Sequence, residues 1–518
     1  MKVLVLCVLA AALAANGAGI LFPSERSYKI LILHPYWARS HKNMMMAFAE
    51  ALADRGHKVE VFTALADPPR HPNITEINYI LPDINLDYTR MFDYINDNTG
   101  AFSMVKDIYP SIAREMYKMP VVKKLYERRK QFDLIIVNHL MSEIVYPFLH
   151  EVTFITVATN GMDQRQSAIF GNVLNPSYAP NVLTTYPFPM SLWHRFKNMI
   201  MHLYLPLYWN YWAVVPMIQK ELSAHFPDLP PLLDIERNQS LSLINTHFSI
   251  DTPIPLLPSQ VEVGAIHCRP AKPLPQDLDS WIEGADSTST GVIYLSLGSV
   301  TPGNSIPAQY RQAFLEAFRR LPQRVLWKYE GELEGASDNI RISKWLPQQD
   351  VLGHRNVKVF ISHGGLLSLQ ESIFHATPLL VLPIFSDQPR NAMFVNNSGV
   401  GRVLMWQEVT ADKIVDALND IITNSKYKEN VVSMSASLKD QLTTPQERAI
   451  FWTEYVIRHK GAPQLRCPGA QLSWVEFLLL DVVGFLLLFL MVVMLLLYRL
   501  LKLVYATFIG RPSKIKSA

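Results

Sequence analysis

WLPQQDVLGHRNVKVFISHGGLLSLQESIFHATPLLVLPIFSDQPRNAMF, residues 345–394, holds the reading that decides the fold. Residues 357–362 form a short apolar, β-branched run, and Ser362-His363-Gly364-Gly365 follows it as a turn. Residues 366–375 then read as a helix and 379–383 as a second apolar strand. Strand, glycine turn, helix and strand make a crossover unit, and such a crossover joins parallel neighbours in a sheet covered on both faces. The same alternation extends upstream, with a strand at 291–296, a helix at 307–321 and a strand at 324–329. A second series begins much earlier: a strand at 29–33, a loop at 34–42, a helix at 43–55 ending at Gly56, a strand at 58–63, and further strands at 132–137 and 154–157. The fold class expected is α/β, with two doubly wound Rossmann-like domains facing a cleft. Pro253, Pro255, Pro258, Pro270, Pro273 and Pro275 mark the linker between them.

The ends of the chain read differently from its body. Lys2 precedes an apolar run from Val3 to Leu13 that closes in small residues, the build of a secretory signal peptide over 1–18. Near the other end, residues 482–498 carry no charge. Counted from Trp474, the stretch 474–498 is long enough to cross a bilayer of about 30 Å of hydrocarbon. The basic residues behind it, at 499–518, predict a cytosolic tail and a lumenal body. The domain reading is therefore an N-terminal domain over 19–255, a linker over 256–277, a second domain over 278–445 and a return helix with a membrane-proximal segment over 446–473. The charge balance is 48 Lys and Arg to 45 Asp and Glu; with Lys2 and the five cations of the tail set aside, 42 basic residues remain. A mildly acidic body without basic patches excludes nucleic acid as a partner. Three cysteines, Cys7, Cys268 and Cys467, supply neither a disulfide framework nor metal-ligand spacing, and no metal site is expected. Asn73, Asn238 and Asn396 fit the glycan acceptor rule, with Asn396 the weakest because it falls in an expected helix.

In open parallel sheets ligands sit at the carboxyl ends of the strands. There, Leu297-Gly298-Ser299 offers close backbone approach and a hydroxyl. His363-Gly364-Gly365 opens a helix whose first N–H groups and dipole favour an anion. A diphosphate suits both turns, although either alone is weak, since strand-to-helix turns need glycine for steric reasons. The aromatic, Met-rich segment at 193–217 suits the lining of an apolar ligand site, core packing or membrane contact.

Trp345, Gln348, His363, Ser368, Glu371, Asp387 and Gln388, in this order, closely resemble the signature of the UDP-glycosyltransferase superfamily. The resemblance also takes in GNVLNPSYAPN at 171–181 and the DVVGFLLLF membrane entry at 481–489, like those of the endoplasmic reticulum members. It implies a GT-B fold and a UDP-sugar as co-substrate, with no further cofactor. Trp345 would stack on uracil and Gln348 would bond the uridine portion. Ser299, His363 and the helix start at Gly365 would hold the diphosphate, with Ser368 nearby. Glu371 would accept the ribose hydroxyls, and Asp387 and Gln388 would read the donor sugar. Each role suits its residue type: an aromatic face for a base, a carboxylate for a diol, donors for an anion.

The same resemblance matches His41 to the general base that deprotonates the acceptor, in a transfer that inverts the anomeric carbon. It also exposes a departure: the acidic partner usual in the family, just after the strand at 132–137, is here Asn138. Glu143 is a substitute if the loop bends it back toward His41. An amide can hold one imidazole tautomer but adds no charge, so acidic hydroxyls such as phenols, or amines, are the acceptors it favours. Glucose is the favoured donor sugar, while Arg390, next to Asp387-Gln388, keeps glucuronic acid open. The alternative to an enzyme is a catalytically degenerate member that binds a ligand or a partner. Lys514 and Lys516, third and fifth from the end, resemble a dilysine retrieval signal. The reading is of a single-pass endoplasmic reticulum membrane protein acting on a small lipophilic acceptor, with homo- or hetero-oligomer formation left open.

Overall fold

The computed structural model describes residue 24 and residues 26–80, 92, 100–284 and 290–508. The expected signal peptide and the two terminal lysines lie outside them. The chain forms two units, Met1–Arg466 and Cys467–Ala518.

The first unit holds two sheets. Strands β1 (Lys29–His34), β2 (Lys58–Thr63), β3 (Ile74–Asn78), β4 (Leu134–Asn138), β5 (Phe154–Ala158), β6 (Ser242–Ile244) and β7 (Gln260–Glu262) run in the order β3-β2-β1-β4-β5-β6-β7. Strands β8 (Val292–Ser296), β9 (Arg324–Lys328), β10 (Ile340–Ser343), β11 (Val357–Ser362), β12 (Leu379–Val381) and β13 (Gly401–Val403) run β10-β9-β8-β11-β12-β13. Neighbours pair in parallel throughout, for instance Ile30 with Leu134 and Ser362 with Ser296. Alternation along β1 explains why both faces are covered. Ile30 and Ile32 pack with Phe48 and Leu52 of the helix Arg39–Asp54, while Leu31 and Leu33 pack on the other side with Ile112, Val122 and Leu222. Each such buried side chain contributes about 1.5–3 kcal/mol of transfer free energy.

Both sheets reverse their winding direction beside a central strand, β1 against β4 and β8 against β11. The loops leaving those strands therefore splay apart and open a crevice, the usual ligand position in this architecture.

Two boundaries in this unit differ from the sequence reading, while the expected return helix is present. The helix expected from residue 43 begins at Arg39, so His41 sits in its first turn rather than in a loop. The expected linker over 256–277 is interrupted by β7, which completes the first sheet; three residues between prolines suffice because an edge strand needs one paired side only. The helix Pro445–Arg458 returns to the first domain: Ala449, Ile450 and Val456 join the cluster around the helix Arg39–Asp54. Its Glu454 accepts from Arg55 Nε at 2.9 Å and lies 3.0 Å from His57 Nε2.

In the second unit, Trp474–Phe477 is a separate turn closed by a Ser473–Glu476 capping box, and the chain bends at Leu479, whose φ is 54°. The long helix runs Leu480–Phe508, and an 18-residue stretch of it has a mean hydropathy of 2.9. The span expected over 474–498 thus begins later and continues through Arg499 and Lys502, because flanking cations can extend a helix while reaching out of the apolar layer. Its 29 residues make about 43 Å of helix, enough to cross a bilayer with tilt. Cys268 and Cys467 are free thiols. Asn73, Asn238 and Asn396 are exposed, Asn396 in the last turn of the helix Gln388–Ser398.

Candidate active site

A cavity of about 910 Å³ lies where the carboxyl ends of the two sheets meet. From the second domain, Gly298, Ser299, His363, Gly365, Ser368, Asp387 and Gln388 line it; from the first come His41 and Thr159 with an apolar, aromatic wall. Trp345, Gln348 and Glu371 are not among its lining residues. Gln348 and, through it, Glu371 adjoin it at Ser368, whose Oγ accepts from Gln348 Nε2 at 3.0 Å.

The diphosphate candidates are built around one ring. Gly298 and Gly365 flank His363 so closely that a Cβ at Gly298 would lie 2.8 Å from His363 Cε1, and one at Gly365 would lie 2.6 Å from Nε2. Gly298 also has φ +86°, so glycine is required there twice over. Ser299 Oγ and His363 Nδ1 are buried and have no hydrogen-bond partner among the described residues. Desolvation, with Lys328 adding its charge, lowers the His363 pKa to about 4, so the imidazole is neutral. Gly365 caps the helix Leu366–Phe374, whose free N–H groups point the same way.

At the far end Trp345 is 54% exposed, with the Arg39 guanidinium 5.6 Å and the Lys328 ammonium 5.7 Å from its ring. Arg39 belongs to the first domain and was not singled out in the sequence. Gln348 is committed: its Nε2 donates to Ser368 and, at 2.6 Å, to Glu371 Oε2, and its Oε1 accepts from Tyr294. Burial raises the Glu371 pKa to about 7. Asp387 accepts from Asn391 Nδ2 at 2.7 Å, and burial raises its pKa too. Gln388 Oε1 accepts from the backbone N–H groups of Ile384 and Phe385, which aims its NH₂ group away from that loop.

In the first domain His41 Nδ1 lies 2.6 Å from Thr159 Oγ1, and Thr159 Oγ1 donates to Asn138 Oδ1 at 3.2 Å. Asn138, at the end of β4, is thus one residue removed from His41 and also meets His34 Nδ1 at 2.9 Å. Desolvation and then His267 lower the His41 pKa to about 4. Glu143 is not a substitute partner. A turn at Met141, φ 63°, sends it inward, where its Oε1 accepts from Trp209 Nε1 at 2.6 Å and faces Arg165 Nη2 at 3.4 Å. Thr159 could have been found by applying the carboxyl-end rule to the expected strand at 154–157.

Residues 31–515 match the family described as UDP-glucoronosyl and UDP-glucosyl transferase. The chain belongs to that family. It is 34% identical over 506 residues to UDP-glycosyltransferase UGT5 of Dactylopius coccus, covering 95% of each chain. To UDP-glucuronosyltransferase 2B7 of Homo sapiens it is 31% identical over 502 residues, covering 90% of this chain and 91% of that one. Among solved structures, it resembles a UDP-glucosyltransferase from Polygonum tinctorium capable of glucosylating indoxyl, with a TM-score of 0.56 and 14% identity. That match covers 84% of this chain and 99% of that one. A spinosyn forosaminyltransferase gives the same TM-score at 16% identity, covering 84% and 100%. These structural likenesses establish the GT-B fold. As a member of its family, the chain is a UDP-glycosyltransferase that moves a hexosyl group.

Proposed function

We propose that the chain transfers a neutral hexose, glucose first, from its UDP ester to a hydroxyl of a small lipophilic acceptor, with His41 as general base. The observation that carries the donor choice is the cavity wall: among the described residues lining it there is no Lys or Arg. Arg390, the cation nearest in sequence to the sugar-reading pair, is bound at 2.7 Å to Asp251. A glucuronate carboxylate would therefore be desolvated without a cationic partner, a cost of several kcal/mol. Asp387 suits a neutral sugar, accepting from its hydroxyls, and the Gln388 amide can donate to another.

The acceptor side is apolar and aromatic. Tyr36, Trp37, Tyr204, Tyr208 and Trp209 line it, which supports a flat lipophilic molecule such as a phenol. In the transfer, the acceptor hydroxyl gives its proton to His41 Nε2 as its oxygen attacks the anomeric carbon. The bond from that carbon to the diphosphate oxygen breaks with the electron pair leaving on UDP. Attack opposite the leaving group inverts the configuration. The Ser299 hydroxyl, His363 and the N–H groups after Gly365 take up the charge developing on the diphosphate, in a reading that requires no metal. The long apolar helix, the expected leader and the terminal lysines support a single-pass endoplasmic reticulum protein with a lumenal body.

Microsomes carrying the full chain test this with radiolabelled UDP-glucose, UDP-glucuronic acid and UDP-galactose, a panel of phenols, and a chelator control. Transfer from UDP-glucose is expected, undiminished by EDTA, and lowered at least about 10²-fold in His41→Ala. Preferential use of UDP-glucuronic acid would overturn the donor reading. Absence of transfer with UDP still bound would mark a binding protein instead.

A further inference from the structure

The hydrogen-bond chain behind His41 assigns a residue that the family resemblance does not. Its donors and acceptors can be ordered because one end is fixed: the backbone N–H of Leu140 donates to Asn138 Oδ1 at 3.1 Å. A backbone amide has no acceptor, so this atom of Asn138 is the oxygen and its NH₂ group faces His34 Nδ1 at 2.9 Å. That oxygen can only accept from Thr159, so the single hydroxyl hydrogen of Thr159 is used at 3.2 Å. Thr159 Oγ1 must then accept from His41 Nδ1 at 2.6 Å. The proton of the neutral imidazole is thereby on Nδ1, and the lone pair is on Nε2.

We infer that Thr159 is the positioning residue for the base, its hydroxyl joining His41 Nδ1 to Asn138 and so selecting the tautomer with a basic Nε2. The inference rests on His41 being the base. No member of the chain is charged, so when Nε2 takes the acceptor proton the imidazolium is stabilised by a hydroxyl dipole rather than by a carboxylate. The proton then leaves His41 Nε2 to solvent after UDP and the glycoside depart, and the relay itself undergoes no net change. A neutral relay stabilises the imidazolium less than an ion pair does, which restricts efficient transfer to acceptors that part readily with a proton. The Thr159 side chain, at the end of β5, is buried along with Asn138 and His34, so the relay is shielded from competing water.

The test uses the full-length membrane protein with UDP-glucose and a series of substituted phenols of graded acidity, comparing Thr159→Val, Thr159→Ser and His41→Ala. Thr159→Val keeps the shape and removes the hydroxyl. The expected result is a kcat lowered about 10²-fold with the KM for UDP-glucose unchanged, and a loss that is steeper for the less acidic phenols. Thr159→Ser restores kcat to within about threefold. UDP-induced quenching of tryptophan fluorescence reports that each variant still folds and binds. A Thr159→Val kcat within twofold of the parent overturns the inference. So does a defect confined to the KM for UDP-glucose, which would make Thr159 a sugar contact, or a Thr159→Ser enzyme as impaired as Thr159→Val. If His41→Ala is itself fully active, the base assignment falls and the relay with it; if only the Thr159 variants are active, the relay alone falls.

Discussion

Asn138 sits two hydrogen bonds from His41 and brings no charge to that histidine's surroundings. Desolvation and the neighbouring His267 lower the His41 pKa to about 4, and further titratable groups facing it include Tyr36, whose ring centroid lies 5.1 Å from its own, and His34, on β1. A histidine so placed is unprotonated across the neutral range, so activity should fall on the acid side only as pH approaches about 4. Asn138→Asp keeps the shape and adds a negative charge that favours the imidazolium. The acid limb of kcat/KM is expected to move up toward neutral pH, and rates with weakly acidic alcohols to rise about tenfold relative to those with phenols. Initial-rate profiles from pH 4 to 8 on both acceptor classes check this, and profiles identical to the parent's reject it. Glu143 offers no such leverage, because Trp209 and Arg165 already hold it.

At the scale of elements, two strand-to-helix turns clamp one imidazole. The turn after β8 presents Gly298 to one part of the His363 ring and the turn after β11 presents Gly365 to another. Gly365→Ala would place a methyl 2.6 Å from His363 Nε2, and Gly298→Ala a methyl 2.8 Å from Cε1 on a backbone at φ +86°. Either must displace the ring from the place proposed for its diphosphate contact. The expected outcome is a KM for UDP-glucose raised about tenfold or more, with the alanine at Gly298 also less stable by about 1 kcal/mol. Donor titrations and thermal melts separate the two effects, and an unchanged KM in both variants would show that His363 does not touch the diphosphate. The return helix Pro445–Arg458 is a further element whose role is a matter of contact: Glu454 closes over Arg55 and His57 of the opposite domain.

For the whole molecule, burial of histidine dominates the acid side of stability. Desolvation takes His34 to about 3, and takes His41, His267, His363 and His375 to about 4, from an ordinary 6.5. Between those values the unfolded chain binds protons that the folded chain refuses, so stability rises with pH in that window and is lost as pH falls from 6.5 toward 4. Glu371, raised to about 7, works in the opposite direction by keeping a proton in the folded state that the unfolded chain releases. Asp387, Glu236 and Glu262, also raised by burial, act with Glu371, while His57, His202 and His247, also lowered by burial, act with the five histidines. The lowered histidines outnumber the raised carboxylates, and the net is a loss on acidification. The melting temperature of the full chain in detergent should therefore drop between pH 7 and pH 5, as followed by scanning calorimetry; an equal or higher value at pH 5 contradicts the assignment.

The sequence by itself determined the two parallel sheets, the glycine turns at their carboxyl ends and the motif most of whose residues gather on the second-domain side of the cavity. Each of those is local: apolar runs, turn glycines and a motif contained within residues 345–394. The apolar helix near the end was legible for the same reason, although its start was not, because the break at Leu479 leaves no compositional mark. Tertiary structure alone decided what stands behind His41. Asn138, Thr159 and His34 come from three different strand ends, and the register of β1 against β4 and β4 against β5 brings them within hydrogen-bond reach. It likewise decided that Glu143 points inward, that Arg390 is bound to Asp251 and that Arg39 crosses to Trp345. Those are contacts between residues far apart along the chain, and spacing in a sequence carries no measure of distance once the chain has crossed a sheet.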